Sequence, residues 1–397
     1  MTLRIAIVKP DWGITGGFEL LADELARRLQ ASGHEIRWMS PSVADLDPRP
    51  YELNVDGIAA QAPDYLRFVQ LVEAFGSLDL HRADLVISTQ PPSYAIDHPR
   101  HIAVFSHHYR SFYDLSDTMI EAGMIKDVAA HRHAELLVRQ IDARYLTPIP
   151  RILATSAEVK RRIGDFNGLH ENVGVFHAGL GFQGTFPQPR SSDTFDYALC
   201  VSRHEFPKRT ELFVSAMSQA PEVDAIAVGR GGRSGYTIEL AEQLRAGERD
   251  TGDDRSLWCN EVPFIDPGEL PRTVGRLRFS GFVTADELDE LYRGALCVVA
   301  PAFLEDYGLT AIEAMAYGKP LIVCSDGGNL VNFVTDEVNG LIVEPTGAAI
   351  AAAVRRLADD RDLARRLGAA ARELAQEFTW ENAMKTFEAA MEEVLAG

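Results

Sequence analysis

Short β-branched runs alternate with longer amphipathic stretches through this chain, in two successive series. That pattern is the sequence form of strand–helix units on a parallel sheet. Arg4-Ile5-Ala6-Ile7-Val8 opens the first series, and a glycine loop leads into a helix expected over residues 18–31, with Leu20, Leu21, Leu25 and Leu29 at helical spacing. Further strands are expected at residues 36–39, 85–88, 102–105, 151–154 and 173–176. Tyr197-Ala198-Leu199-Cys200-Val201 begins the second series, which continues at 225–228, 277–279, 297–300, 321–323 and 341–343. Gln183 to Asp193 has the Gly, Pro and Ser content of a linker, and residues 247–275 read as a polar excursion from the core. The expectation is an α/β chain of two doubly wound, Rossmann-like domains, residues 1–183 and 194–376, followed by a helix within 377–397 that carries Met384, Phe387, Met391 and Val394 on one face. A length of 397 residues agrees, because it exceeds what one compact core holds. Such sheets bind ligands beyond the carboxyl ends of their strands, so two facing domains imply an interdomain cleft.

Composition removes several functional classes. The net charge is −19, of which residues 1–190 (19 Lys+Arg, 23 Asp+Glu) contribute −4 and the remainder −15. Nucleic acid is not an expected partner, since phosphate-backbone binding needs clustered cations. Any contact with an anionic surface belongs to the first half and is at most peripheral. No apolar run approaches the roughly 18–20 residues that span a bilayer, and residues 1–8 lack the form of a signal peptide, so a cytoplasmic location is expected. Cys200, Cys259, Cys297 and Cys324 have no metal-ligand spacing and read as free thiols. Asp45-Leu46-Asp47 and Asp360-Arg361-Asp362 are matches that so acidic a chain produces by chance, and no metal is expected.

The chemistry-bearing stretch runs from Glu305 through Asp306-Tyr307-Gly308-Leu309-Thr310 to Glu313 and on to Gly318-Lys319-Pro320. Two glutamates eight residues apart flank a glycine and a helix start. Gly308 permits close backbone approach, and the open N–H groups of Leu309 and Thr310 make a phosphate site. The carboxylates suit sugar or ribose hydroxyls. A plain helix with acidic residues placed for dipole reasons is the bland alternative. Ser202-Arg203-His204-Glu205-Phe206-Pro207-Lys208-Arg209 follows the strand that opens the second series. Two fixed cations there suit the charge left on a departing diphosphate, with Arg209 an alternative to Lys208.

Glu305 and Glu313, with the Gly-Lys-Pro that follows, resemble the paired glutamates of glycosyltransferase family 4. Phe279-Ser280-Gly281-Phe282-Val283, Glu287–Tyr292, Asp326-Gly327-Gly328 and Asn339–Val343 are similar to the flanking family elements. The resemblance implies a GT-B fold whose last helix crosses back to the first domain. It places Arg203 and Lys208 on the diphosphate, Glu305 on the transferred sugar and Glu313 on the ribose, and makes Phe282 and Val283 the nucleotide loop. Gly16 and Gly17 would close over donor phosphate and acceptor, and His107 would touch the donor sugar near the reacting carbon, with His108 as the alternative. His131 and His133 are read as packed or exposed.

The implied activity is retaining, metal-independent transfer from a nucleoside-diphosphate sugar (UDP-sugar ahead of GDP-mannose) to a hydroxyl of a glycan, lipid-linked or small-molecule acceptor, as in cell-surface polysaccharide or glycoconjugate synthesis. Two rivals are an epimerase or phosphorylase of the same architecture and a non-catalytic nucleotide-sugar binder. This chain departs from the family pattern at Asp306-Tyr307, at Leu330-Val331 in place of Pro-Glu, and at Gly179-Leu180-Gly181 in place of Gly-Val-Asp. Each departure bears on which sugar is held.

Overall fold

A computed structural model describes residues 2–13, 16–180, 186–269 and 272–397. The chain divides into two compact units, residues 1–181 with 379–397, and residues 182–378.

The first unit holds a parallel sheet of β1 (Arg4–Val8), β2 (Glu35–Met39), β3 (Leu85–Ser88), β4 (His101–Phe105), β5 (Arg151–Ala154) and β6 (Val173–Val175), in the order β2-β1-β3-β4-β5-β6. Every neighbouring pair is parallel. The inner strands β3 and β4 are buried at every residue, as a sheet covered on both faces requires. The helix Gly17–Ala31 buries Leu21, Leu25 and Leu29, while Leu20 is exposed, so the apolar stripe is narrower than the leucine count suggests. The helix Trp380–Ala396 also belongs to this unit. Trp380 and Phe387 meet the edge of Phe176, and the Arg28 guanidinium lies 5.3 Å over the Trp380 ring. A Cβ at Gly179 would overlap the Trp380 backbone nitrogen, which explains that glycine. Gly181, the other glycine of the same triplet, lies outside the described residues.

The second unit holds β7 (Tyr197–Val201), β8 (Asp224–Val228), β9 (Thr273–Val274), β10 (Leu277–Gly281), β11 (Ala295–Ala300), β12 (Leu321–Cys324) and β13 (Gly340–Val343), in the order β13-β12-β11-β7-β8-β10-β9. All pairs are parallel except the edge strand β9, which runs antiparallel to β10 and which two residues of sequence cannot announce. The parallel α/β expectation holds in both units.

Two readings of organisation change. Of the expected linker, residues 183–185 lie outside the described residues, but the following stretch packs on the second unit. Arg293 donates to the Gln188 carbonyl at 3.0 Å, Lys319 to the Thr194 carbonyl at 2.8 Å, and Arg372 lies 4.7 Å over the Phe186 ring. The polar excursion at 247–275 also returns to the core. Its short helix Asp254–Trp258 delivers Trp258, 2% exposed, against Phe206 and Phe303. Polar composition concealed that one buried indole anchors the segment.

Candidate active site

In the second unit the site is built at the carboxyl ends of β7, β11 and β12. The loop after β11 lies along the loop after β12. Leu304 N–H donates to the Asp326 carbonyl (3.0 Å), Glu305 N–H to Gly327 (3.1 Å), and Asn329 N–H returns to Glu305 (2.9 Å). Gly328 is a glycine because its φ is +62° and a Cβ would stand 2.6 Å from the Glu305 carbonyl oxygen. The buried Asn329 amide donates to the Tyr307 carbonyl at 2.9 Å. Glu305 is therefore held by main chain on both sides.

Gly308, at φ +97°, caps the helix Leu309–Ala316, and a Cβ there would meet Leu330 Cδ2 at 2.7 Å. Leu330, one of the departures, is thus the residue that packs beneath Gly308. Asp306 and Tyr307, another of the departures, are both buried.

The single 3-10 turn Phe206–Lys208 brings Lys208 to Glu305, with Nζ 2.5 Å from Oε2. The two side chains are 22% and 13% exposed. Arg203 is exposed. The structure separates Arg209 from Lys208. The Arg209 side chain is buried, bidentate to Asp326 at 2.6 and 2.8 Å, and donates to the Pro301 carbonyl at 2.6 Å. It is also stacked between Trp258 (5.1 Å) and Phe303 (5.4 Å). Arg209 thereby fastens the cation-bearing loop to the ends of β11 and β12, while Lys208 pairs with Glu305.

Phe282 is 79% exposed, with the Arg230 guanidinium 5.9 Å over its ring, and Val283 is half-buried beside it. Thr284 then caps the helix Ala285–Gly294 through a reciprocal pair with Glu287. That helix carries Tyr292, whose hydroxyl donates to Glu313 Oε2 at 2.9 Å. Burial of the Glu313 carboxyl pushes its pKa up to about 7, while the tyrosine bond pulls it down.

In the first unit, Gly16 N–H donates to Glu19 Oε2 at 2.9 Å. The Gln90 amide donates to Glu19 Oε1 at 2.7 Å and accepts from Trp12 Nε1 at 3.2 Å. Gly17 opens the helix, and Phe18 next to it lies 5.6 Å from the His107 ring. Ile14 and Thr15 of this loop lie outside the described residues. Phe18 and Glu19 close the glycine-loop stretch but were given no role in the sequence reading, and Gln90 went unnoticed because nothing local marks a residue that meets them only at the ends of β1 and β3.

The two histidines part company. His107 is half-buried, with Nδ1 2.6 Å from the His108 carbonyl. A carbonyl can only accept, so Nδ1 carries a hydrogen and donates it, and Nε2 is the ring nitrogen that this bond leaves uncommitted. His108 is buried among Phe105, Tyr113 and Phe166 and contacts Asn167 Oδ1 at 2.7 Å through Nε2. Burial pulls its pKa down to about 4. The geometry leaves His107 half-buried beside Phe18 and gives His108 a packing place. His131 is buried and His133 exposed.

Among the described residues no group of three or more His, Cys, Asp or Glu side chains is arranged to hold a metal. Asp360 caps the helix Arg361–Ala375, and Asp47 accepts from Arg49 N–H at 2.7 Å, so both Asp-x-Asp matches have local structural uses. Cys200, Cys297 and Cys324 are buried free thiols whose pKa values burial pushes up to about 12. Among the described residues no helix is long and apolar enough to cross a membrane.

Residues 274–374 match the family model of glycosyl transferases group 1, about a quarter of the chain. Curated relatives match over a similar stretch. A D-inositol 3-phosphate glycosyltransferase of Salinispora arenicola is 38% identical over 117 residues, 28% of this chain and 26% of that one. An uncharacterized glycosyltransferase of Methanocaldococcus jannaschii is 38% identical over 109 residues, 27% of this chain and 28% of that one. The matches thus span little more than a quarter of those relatives' length. Solved structures match across the whole chain at lower identity. Sucrose-phosphate synthase of Thermosynechococcus elongatus has a TM-score of 0.68 at 19% identity, covering 100% of both chains. Anabaena HepE in complex with UDP and glucose has 0.64 at 17%, covering 98% of this chain and 99% of that one. The fold is GT-B, and Glu305, Gly308 and Glu313 lie in the segment that matches the glycosyl transferases group 1 model.

Proposed function

We propose that this protein is a retaining, metal-independent glycosyltransferase that moves a sugar from a nucleoside-diphosphate sugar to an acceptor hydroxyl. The observation that carries the reading is the meeting of Lys208 and Glu305 within 2.5 Å, beside the glycine-capped helix of a glycosyl transferases group 1 segment. A cation for phosphate and a carboxylate for hydroxyls stand together where the reading needs both. Lys208, Arg203 and the N–H groups of Leu309 and Thr310 take up the charge of the departing diphosphate. Glu305 holds hydroxyls of the transferred sugar, Glu313 those of the ribose, and Phe282 and Val283 border the base. His107 serves the donor sugar, and Gly16 and Gly17 serve donor phosphate and acceptor.

In the step itself, the bond between the anomeric carbon and the phosphate oxygen breaks, and its electron pair leaves with the diphosphate. The acceptor oxygen forms its bond to carbon on the same face, and its proton passes to the departing phosphate oxygen. UDP-sugar is the favoured donor and GDP-mannose the next. UDP appears with the similar Anabaena HepE. The acceptor class is a glycan, lipid-linked or small-molecule hydroxyl of cell-surface polysaccharide synthesis, met in the cytoplasm.

Thermal melts with UDP-, GDP-, ADP- and TDP-sugars in excess EDTA test this. A donor at 100 times its Kd raises stability by about 2.7 kcal/mol, and one member of the panel is expected to do so and then to be consumed only when acceptor is added. No stabilisation by any of them, or stabilisation that EDTA abolishes and magnesium restores, would sink respectively the donor reading or its metal independence.

A further inference from the structure

We infer that Tyr292 is a positioning residue for nucleotide binding: it fixes Glu313 as a ribose acceptor and ties that carboxylate to the base loop. The inference rests on the donor reading above, because it assigns Glu313 to the ribose.

Tyr292 is 1% exposed, and its hydroxyl stands 2.9 Å from Glu313 Oε2 and 3.3 Å from the Thr310 carbonyl. Among the described residues, Glu313 Oε1 accepts no hydrogen bond. A carboxylate with one oxygen pinned and the other open suits a hydroxyl ligand. The ring of Tyr292 is itself fixed. It stacks on Tyr317 at 5.1 Å with 18° between planes, and Tyr317 donates to Asp289 Oδ1 at 2.6 Å. Asp289 is in turn paired with Arg293 at 2.8 Å. Tyr292, Asp289 and Arg293 all ride on the helix Ala285–Gly294, whose cap at Thr284 directly follows Phe282 and Val283. One rigid helix therefore connects the residues beside the base to the hydroxyl that orients the ribose carboxylate.

The bond also sets protonation. The groups that face this pair from the surrounding elements are Tyr317, Cys200 of β7, and Asp289 with Arg293 acting through Tyr317. Burial holds the Glu313 pKa at about 7, and the Tyr292 hydroxyl is the group that lowers it. Ribose hydroxyls bind the ionised carboxylate better. Nucleotide affinity then falls as pH drops through 7. Without the hydroxyl, that fall begins at higher pH.

Tyr292→Phe keeps the stacked ring and removes only the donor. The assay is calorimetric titration with UDP and with 2′,3′-dideoxy-UDP from pH 6 to 9, beside the melting temperature of the empty protein. Wild type should prefer UDP to the dideoxy analogue. The variant should lose about three- to tenfold of that preference at pH 7, recover part of it by pH 9, and bind the dideoxy analogue as wild type does. A preference and pH midpoint identical to wild type overturn the positioning role. An equal loss for both nucleotides at every pH overturns it too, in favour of a merely structural tyrosine. If wild type binds neither UDP nor its analogue while GDP binds, the same pair of measurements with GDP and dideoxy-GDP decides it. If no nucleoside diphosphate binds, the donor reading fails and this inference with it.

Discussion

The cation assigned to phosphate and the carboxylate assigned to sugar form an ion pair with each other. Lys208 Nζ lies 2.5 Å from Glu305 Oε2, with side chains 22% and 13% exposed. A diphosphate arriving at Lys208 must compete with that carboxylate and is repelled by its charge. Glu305→Gln preserves the shape and removes both effects. A hydrogen bond to a charged group is worth about 1.5–3 kcal/mol, but the pair retains access to water and Lys208 must be resolvated or shared in either state. A net gain of about 1 kcal/mol is the reasonable fraction, or roughly fivefold tighter binding of the free nucleoside diphosphate. Turnover should move the other way, by about 10- to 100-fold, because the amide is a poorer acceptor for the sugar hydroxyls. Calorimetric titration of wild type, Glu305→Gln, Lys208→Met and the double variant forms a closed cycle. The gain from Glu305→Gln should vanish in the Lys208→Met background except for its repulsive part. Weaker binding by Glu305→Gln, or additive effects in the cycle, would refute the competition.

Other outcomes follow from buried groups. His107→Ala should cut turnover while leaving the melting temperature nearly unchanged, whereas His108→Ala should destabilise the fold by about 3 kcal/mol by opening an aromatic cavity and stranding Asn167; parallel melts and rate assays separate the two. Arg209→Met should lower stability by about 3 kcal/mol in denaturant titration, since it unpairs Asp326 and two backbone carbonyls under Trp258. Asp142 is fully buried beneath the hydroxyls of Tyr94 (2.7 Å) and Tyr113 (2.6 Å), and burial pushes its pKa up to about 6. The folded value lies above the unfolded one, so this group's contribution is complete below about pH 4 and is lost as pH rises to about 6. Relative to Asp142→Asn, wild type should therefore lose about 3 kcal/mol between pH 4 and 7; a pH-independent difference would contradict the burial argument.

Periodicity carried the sheets almost intact, because a buried parallel strand needs an unbroken apolar run and each such run is legible where it stands. Among the described residues, the strand without such a signal is the two-residue edge β9, antiparallel to β10. The linker and the excursion were misjudged for the opposite reason. Their polar composition gave no sign of what holds them: the 186–194 stretch is held by Arg372 over Phe186 and by Arg293 and Lys319 on its carbonyls, and the excursion by Trp258 buried against Phe206 and Phe303.

The sequence by itself determined the two α/β series, the glutamates at 305 and 313, the cations at 203 and 208, and the glycine that opens the intervening helix. All of these depend on near neighbours in the chain: strand ends, helix starts and fixed spacing. Tertiary structure alone decided that Arg209 is buried against Asp326 while Lys208 meets Glu305, and that His108 is buried while His107 is only half-buried. It also decided that Asp306 and Tyr307 face inward, and that Tyr292 and Gln90 serve residues far from them in sequence. Adjacent residues of the same type look identical as text. What separates them is burial and the partners that distant segments bring, and those exist only once the chain has folded.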